Sequence, residues 1–547
     1  MKHCISFVSL ALCFMVLTVF ATSWQSCSNK SNGQHIATDT LPTPQVDVTL
    51  PGSFTEPGKL RFDSTAMGSF FSKFPKLKEF QQQLISFYSK RQFAYAWFDQ
   101  EGLTEQAGNL FNKIENIEEE GTSVQVQYEP ALRQLMDSLR TAGPQTKPYL
   151  PLELMLTAQY FFYAKHIWSG LGEAAMQEVQ WELPRKKLSY VAWLDSLLEA
   201  PSSSFMQTEP VYRQYKLLKE KLRHYKSLQA GGGYPFINPD KKVYRLGDSS
   251  TTIFIIRQRL LLSQDLSVNN HSAIYDSTLL TAVQQFQNRH GLNADGIIGP
   301  AVVREMNVPL EERIRQLIVN MERCRWLPVA LQKDYFVINI PEFQFHAYEN
   351  DSLAWSMKVV VGKSIHQTAI FSGTMKHVVF TPYWNIPPGI MRNEILPALR
   401  RNPHYLTQNN MEWNGNQIRQ KPGPLNALGK VKFLFPNSHH IYLHDTPAKS
   451  LFTQDQRAFS HGCIRVEQPR RLAQYVLRHQ SEWTDARIDS AMNGQKEMFV
   501  PIKKPIPVLI AYFTAWVDGE GLLNFRKDIY KRDERMAEMI LEPSKRK

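Results

Sequence analysis

The feature that most constrains this chain is a change of hydrophobic period near residue 333. Upstream, from about 60 to 240, apolar residues recur at i, i+3 and i+4: Phe80, Leu84 and Phe87-Tyr88, then Leu152, Leu154 and Met155 through Ile167-Trp168. That spacing buries one face of a helix, so 59–242 is expected to be a helical scaffold. Downstream the period falls to two, as in Tyr335 to Ile340 and Phe343 to Tyr348, with Asn350-Asp351 turning the chain into Met357 to Gly362. Alternation of this kind predicts strands, and further strands are expected at Val378–Thr381, Lys432–Phe435 and His440–His444. With 547 residues the chain exceeds what one core usually serves. The expected class is therefore α+β, with a mostly antiparallel β domain at 333–512.

Two further units interrupt this plan. After the break Ala230-Gly231-Gly232-Gly233-Tyr234-Pro235, residues 243–308 predict a compact three-helix unit with helical cores at Arg257–Leu260 and Ala282–Gln287. Asp295-Gly296 supplies a turn and Gly299-Pro300 a helix start. The run from Ala282 to Pro300 resembles the peptidoglycan-binding module of cell-wall enzymes. A connecting helix (309–332) follows, carrying Leu310, Ile314, Leu317 and Met321 on one face. Within the β domain, 389–428 mixes a helical piece (Ile390 to Leu399) with a polar stretch ending in Pro422-Gly423-Pro424. An insertion of that length between strands usually serves a function, here expected to be capping a groove as a lid. Residues 513–547 form a C-terminal segment.

The N-terminus predicts export. Met1-Lys2-His3 is a short basic start, Ile5 to Ala21 is mostly apolar, and Ala21-Thr22-Ser23 offers small residues for cleavage. The pattern fits a secretory signal (1–27) better than a retained membrane helix, which needs about 20 apolar residues. Trp24-Gln25-Ser26-Cys27 resembles a lipoprotein signal, which would make Cys27 a lipidated first residue. Cleavage after Ser23 is the other option. Residues 28–58, rich in Ser, Asn, Thr, Pro and Gly, suit a tether. The net charge of +12 is compatible with an anionic envelope. It comes with no nucleic-acid motif.

Export sharpens the cysteine count. Cys4 and Cys13 leave with the signal, so Cys324 and Cys463 are the cysteines of the folded body. Cys324 falls in the helical pattern and is expected to pack as a small hydrophobe. Cys463 lies in Ser460-His461-Gly462-Cys463-Ile464-Arg465-Val466, preceded by Ile441-Tyr442-Leu443-His444-Asp445. Gly462 allows a tight turn that would aim the Gly462 and Cys463 N–H groups at a developing oxyanion. His444 would take the thiol proton and hold a thiolate–imidazolium pair.

Ser460-His461-Gly462-Cys463, with His444 lying 19 residues earlier, resembles the L,D-transpeptidase signature. Simpler members carry Asn two residues after the Cys; Arg465 here resembles the long, multidomain periplasmic type. Thr381 to Pro387 and Tyr512 to Asp518 are similar to that subfamily too. The resemblance implies a cysteine acyltransferase that needs no cofactor or metal and acts on peptidoglycan stem peptides. Cys463 would attack the carbonyl at stem position three and expel the terminal D-residue. A second stem's amine would then open the thioester, forming a 3→3 link. It further implies that the Asp445 backbone carbonyl orients His444. Tyr442, Trp384, Tyr383, Asn385, Arg465, His461 and Ser460 are expected to contact substrate or shape its groove. Two rivals remain at this point. His444, His461 and Cys463 could form part of a zinc site, though no fourth ligand lies at close spacing. A non-catalytic wall-binding scaffold would leave Cys463 dispensable.

Overall fold

The computed structural model of the protein describes residues 60–142, 147–200 and 208–542. The expected export signal, the Cys27 lipidation and the 28–58 tether lie outside the described residues. Among the described residues, no helix is long and apolar enough to cross a membrane.

The spine of the molecule is the helix Leu310–Trp326, expected from sequence only as a connector. It is buried on nearly every side. Leu317 and Met321 are fully covered, each contributing about 1.5–3 kcal/mol of apolar burial. Its buried guanidinium groups are paired: Arg323 donates to Asp533 Oδ1 (2.7 Å), and Arg325 donates to Glu322 Oε2 (2.6 Å) and to the Glu120 carbonyl (2.6 Å). Through this helix, the scaffold helices, the β domain and the C-terminal helix Asp533–Leu541 share one continuous apolar core. The 243–308 unit keeps a core of its own around Ile253, Ile256, Val283 and Phe286. Its helices are Thr251–Leu262, Ser277–Arg289 and Pro300–Met306. The first two are capped by the side chains of Ser250 and Asp276, and the third opens with Pro300 in its first turn.

The strands are β1 (Trp181–Glu182), β2 (Tyr335–Asn339), β3 (Gln344–Glu349), β4 (Ser352–Gly362), β5 (Ile370–Phe380), β6 (Trp384–Asn385), β7 (Met411–Asn414) and β8 (Gln417–Gln420). They continue with β9 (Val431–Leu434), β10 (Leu443–His444), β11 (Ala458–Ser460), β12 (Ile464–Val466) and β13 (Met498–Ala511). A small hairpin, β14 (Ala515–Val517) with β15 (Leu523–Phe525), follows. The main sheet runs β5-β13-β2-β3-β4-β12-β10-β9, and β9 pairs back onto β5, so the sheet closes on itself. Antiparallel pairs predominate, as expected; β10–β12, β13–β2, β11–β4 and β1–β5 are parallel. The β1 strand comes from the scaffold, a pairing with no signal in the local sequence.

The insertion forms a separate layer. Short helices at Pro388–Ile390, Leu396–Arg401 and Tyr405–Gln408 lead into the β7–β8 hairpin, and β6 pairs with β8. Ile386, Ile395, Met411 and Ile418 make a small apolar cluster distinct from the main core.

Candidate active site

The site is built on the register of β10 and β12. Leu443 lies beside Ile464 and His444 beside Arg465. Leu443, Ile464 and Val466 point into the main core. Because strand side chains alternate, Tyr442, His444, Cys463 and Arg465 share the opposite face. The β9 strand extends this face, with Lys432 beside His444.

Cys463 follows a loop held at nearly every polar atom. Ser460 Oγ donates to the Cys463 carbonyl (2.5 Å) and accepts from the Gly462 N–H (3.2 Å). Thr368 Oγ1 donates to the Gly462 carbonyl (2.8 Å) and accepts from the Gly362 N–H (2.9 Å). Gly462 has φ +112°, a conformation that side-chain-bearing residues rarely adopt. Gly362 packs directly behind it. A Cβ there would come within 2.0 Å of the His366 carbonyl and 3.1 Å of Gly462 Cα.

Two expectations change here. The Gly462 N–H is engaged by Ser460 rather than aimed at an oxyanion. Ser460, only 2% exposed, keeps its bonds within the loop and braces it instead of facing substrate. Among the described residues the Cys463 N–H has no hydrogen-bond partner, which leaves it as this loop's candidate oxyanion donor.

The imidazole of His444 is buried, and its Nδ1 lies 2.5 Å from the Asp445 carbonyl. That contact makes Nδ1 the protonated nitrogen and leaves Nε2 a lone pair, the form a general base needs. The Asp445 carboxylate is occupied elsewhere, accepting from the Lys430 and Thr446 N–H groups (2.9 and 2.7 Å) and pairing with Lys449 (2.5 Å). Burial, helped by the Arg465 charge, lowers the His444 pKa to about 3. Burial also pushes the Cys463 thiol up, opposed by hydrogen bonds from the Tyr442 backbone and hydroxyl and by Arg465. Both shifts run towards the neutral forms, thiol and imidazole.

Tyr442 therefore does more than line a groove. Its hydroxyl meets the Cys463 thiol, and its own ionisation is pushed up by burial and by that sulfur. The thiol also reaches the His440 carbonyl at 3.8 Å. Arg465 is half-buried beside them, and its Nε has no hydrogen-bond partner among the described residues. His461 turns away towards the insertion. Its Nε2 pairs with Glu394 Oε1 at 2.8 Å, and its ring lies 5.0 Å from that of His366. Tyr383, Trp384 and Asn385 sit at the start of the insertion. Trp384 packs on its small cluster, Tyr383 lies under the Arg419 guanidinium (4.1 Å), and Asn385 is exposed. Cys324 is free and fully buried, with its thiol pushed far up by burial.

Residues 333–502 match the L,D-transpeptidase catalytic domain, 82–222 a scaffold domain, and 256–306 a domain described as "Putative peptidoglycan binding domain". The chain is thus similar, over these three stretches, to a scaffold, a peptidoglycan-binding-type module and an L,D-transpeptidase catalytic domain in that order. A curated relative from Haemophilus influenzae, named "Putative L,D-transpeptidase", is 30% identical over 287 residues, covering 48% of this chain. The match spans 57% of that relative's own length, less than two thirds. Solved structures with similarity include an L,D-transpeptidase from Mycobacterium smegmatis (15% identity, TM-score 0.19, covering 33% of this chain and 58% of that one). Another is an L,D-transpeptidase from Stackebrandtia nassauensis (10% identity, TM-score 0.20, covering 50% and 97%).

Proposed function

We propose that this protein is an exported cysteine L,D-transpeptidase that forms 3→3 cross-links between peptidoglycan stem peptides. The observation that carries the reading is the shared face of β10 and β12. On it lie the Cys463 thiol, the His444 imidazole bonded through Nδ1 and the Arg465 guanidinium with its unpartnered Nε, which supports the reading.

On this reading proton transfer accompanies attack. Cys463 Sγ bonds to the carbonyl carbon of the third stem residue as its proton passes to His444 Nε2. The oxyanion is held by the Cys463 N–H. The intermediate collapses, the bond to the terminal D-residue breaks, and His444 returns the proton to the leaving amine. The thioester is then attacked by a second stem's amine, which gives its proton to His444, and that proton returns to the departing thiol. Arg465 takes a substrate carboxylate, and the Tyr442 hydroxyl stabilises developing negative charge on sulfur. The 389–428 lid excludes water from the thioester and so favours the amine over hydrolysis. Peptidoglycan is the substrate and the 243–308 module its expected docking unit. Cys27 either anchors the chain through a lipid or is lost on cleavage.

The test is incubation of the purified protein with isolated tetrapeptide stems and mass spectrometry of the products. Cross-linked dimers with loss of one D-residue support the reading. Hydrolysed tripeptides alone make the protein an L,D-carboxypeptidase, exchange of the terminal D-amino acid alone makes it an exchange enzyme, and unchanged stems overturn it.

A further inference from the structure

The scaffold reaches the nucleophile loop through one short segment, Val179–Glu182. Its anchor is Trp181, 3% exposed, whose ring packs against Trp326 of the spine helix (5.5 Å) and Phe513 (6.0 Å). So anchored, Trp181 and Glu182 add to β5 as the parallel strand β1. From there the segment touches two loops, both of which contact the Gly462-Cys463 pair.

The first contact is direct. Glu182 Oε2 lies 2.8 Å from His439 Nε2. The next residue, His440, has φ +56°, a left-handed conformation unusual for a residue with a side chain. Its carbonyl is the one the Cys463 thiol reaches. A strained residue of this kind persists only where its surroundings over-determine it. Here Asn437 Oδ1 accepts from the His439 and Ile441 N–H groups (3.0 and 3.1 Å), and Glu182 holds the His439 ring from outside.

The second contact runs through Arg532, which is 7% exposed. Its guanidinium donates to the carbonyls of Val179 and Gln180 and to Gln180 Oε1 (3.1 Å). It also donates to Gln367 Oε1 at 2.8 Å. Gln180 is itself left-handed, at φ +52°. The neighbour of Gln367 is Thr368, whose hydroxyl donates to the Gly462 carbonyl.

We propose that the scaffold segment Val179–Glu182 sets the geometry of the nucleophile loop, with Glu182 and Arg532 as positioning residues for Cys463. The proposal rests on the reading of Cys463 as the nucleophile. The scaffold then does more than carry the catalytic domain. It adds a restraint on two loops to those that Phe371 and Tyr530 already make.

The test uses the full chain with Glu182→Ala, Glu182→Gln and Arg532→Lys. Hydrogen exchange by mass spectrometry is read over 437–441 and 460–463, with β2, β3 and β13 as internal references. Steady-state kinetics on stem peptides are read in parallel. In Glu182→Ala, exchange over the two loops is expected to rise about threefold or more, with the reference strands unchanged. The same variant should lose about 3–10-fold in kcat with KM within about twofold, because misplacement costs attack geometry more than binding. Glu182→Gln keeps an acceptor for His439 and should restore both readouts. Arg532→Lys loses the forked contact and should loosen 460–463 in the same way.

Unchanged exchange over both loops in Glu182→Ala and Arg532→Lys would overturn the proposal. So would a uniform rise in exchange across the reference strands, which marks a general loss of stability. If the loops loosen as expected but Cys463→Ala still turns over, the functional reading fails while the positioning role stands.

Discussion

The nucleophile loop and the insertion that faces it are built on opposite principles. Around Cys463, Ser460, Thr368 and Gly362 bond to one another or to backbone, and the flanking strands belong to the main core. The insertion packs on a small cluster of its own. At its base, Asn426 donates to the Pro382 carbonyl (2.9 Å). Across the gap, the exposed Glu394 carboxylate pairs with His461 (2.8 Å). On the proposed function the difference separates two tasks. Attack on a carbonyl needs groups fixed to a fraction of an ångström, whereas admitting a polymer and then excluding water needs a layer that can lift as a unit.

The harshest test of that division is removal of the sulfur. Cys463→Ala is expected to abolish turnover with the melting temperature and circular dichroism essentially unchanged, since a half-buried thiol gives way to a methyl. A carbapenem should form one adduct on the native protein and none on the variant, read by intact-protein mass spectrometry. Cys324→Ala should retain near-normal activity, because that thiol lies inside the core and away from the site. Activity that depended on Cys324 and not on Cys463 would break the assignment.

Next in size is His444→Ala, expected to slow acylation by roughly 10²–10⁴-fold, the usual worth of a general base. The deficit should shrink at high pH, where the thiol ionises unaided. With His444 held at about 3, the native enzyme should show no acid limb near 6.5 in its kcat/KM profile. The same depression has a stability consequence. Between about 3 and 6.5 the unfolded chain binds the His444 proton and the folded chain does not, so this contribution is complete above 6.5 and is lost as pH falls through that window. Urea titrations at stepped pH would show it, and His444→Gln should flatten that part of the curve.

Much of the site was legible because its signal is contiguous. Cys463 and His444 lie in two short runs whose spacing fits adjacent strands, the Asp445 carbonyl entered through the resemblance to L,D-transpeptidases, and the change of period marked the helical half and the β domain. What escaped depends on register between distant segments. Nothing local says that Tyr442 will meet the thiol, because that follows from the pairing of β10 with β12. Ser460, expected at the substrate groove, is turned back into the loop once β11 is laid against β4. The sharing of one core by scaffold and β domain was equally hidden. It arises because the Leu310–Trp326 helix is buried on nearly all sides, while its sequence shows only the apolar stripe.

Replacing 392–424 by a short Gly/Ser linker tests the other half of the comparison. Because the insertion has its own cluster, its loss should leave the main core and the reaction of Cys463 with a small thiol reagent intact. The product balance should shift from cross-linked dimers towards hydrolysed tripeptides, since water would then reach the thioester. A dimer-to-tripeptide ratio equal to that of the native protein would reject the lid.

The smallest effect expected comes from Glu394→Gln. The contact it removes joins side chains that are 51% and 34% exposed, and where the imidazole carries its proton such exposed pairs contribute about 0.2–1 kcal/mol. An amide can still accept a hydrogen bond from His461, so only the charge is lost. Such a change can alter the closed fraction of the lid by at most about fivefold. The dimer-to-tripeptide ratio should therefore fall in the same direction as on lid replacement, by less, and with the acylation rate unchanged. Salt supplies the control. At a pH low enough to protonate the imidazole, about 1 M salt screens the pair, so native and variant ratios should converge there. A deficit as large as that of the lid replacement, or one that persists undiminished in high salt, would mean that Glu394 acts on the chemistry itself. Loop and lid would then be one device rather than two.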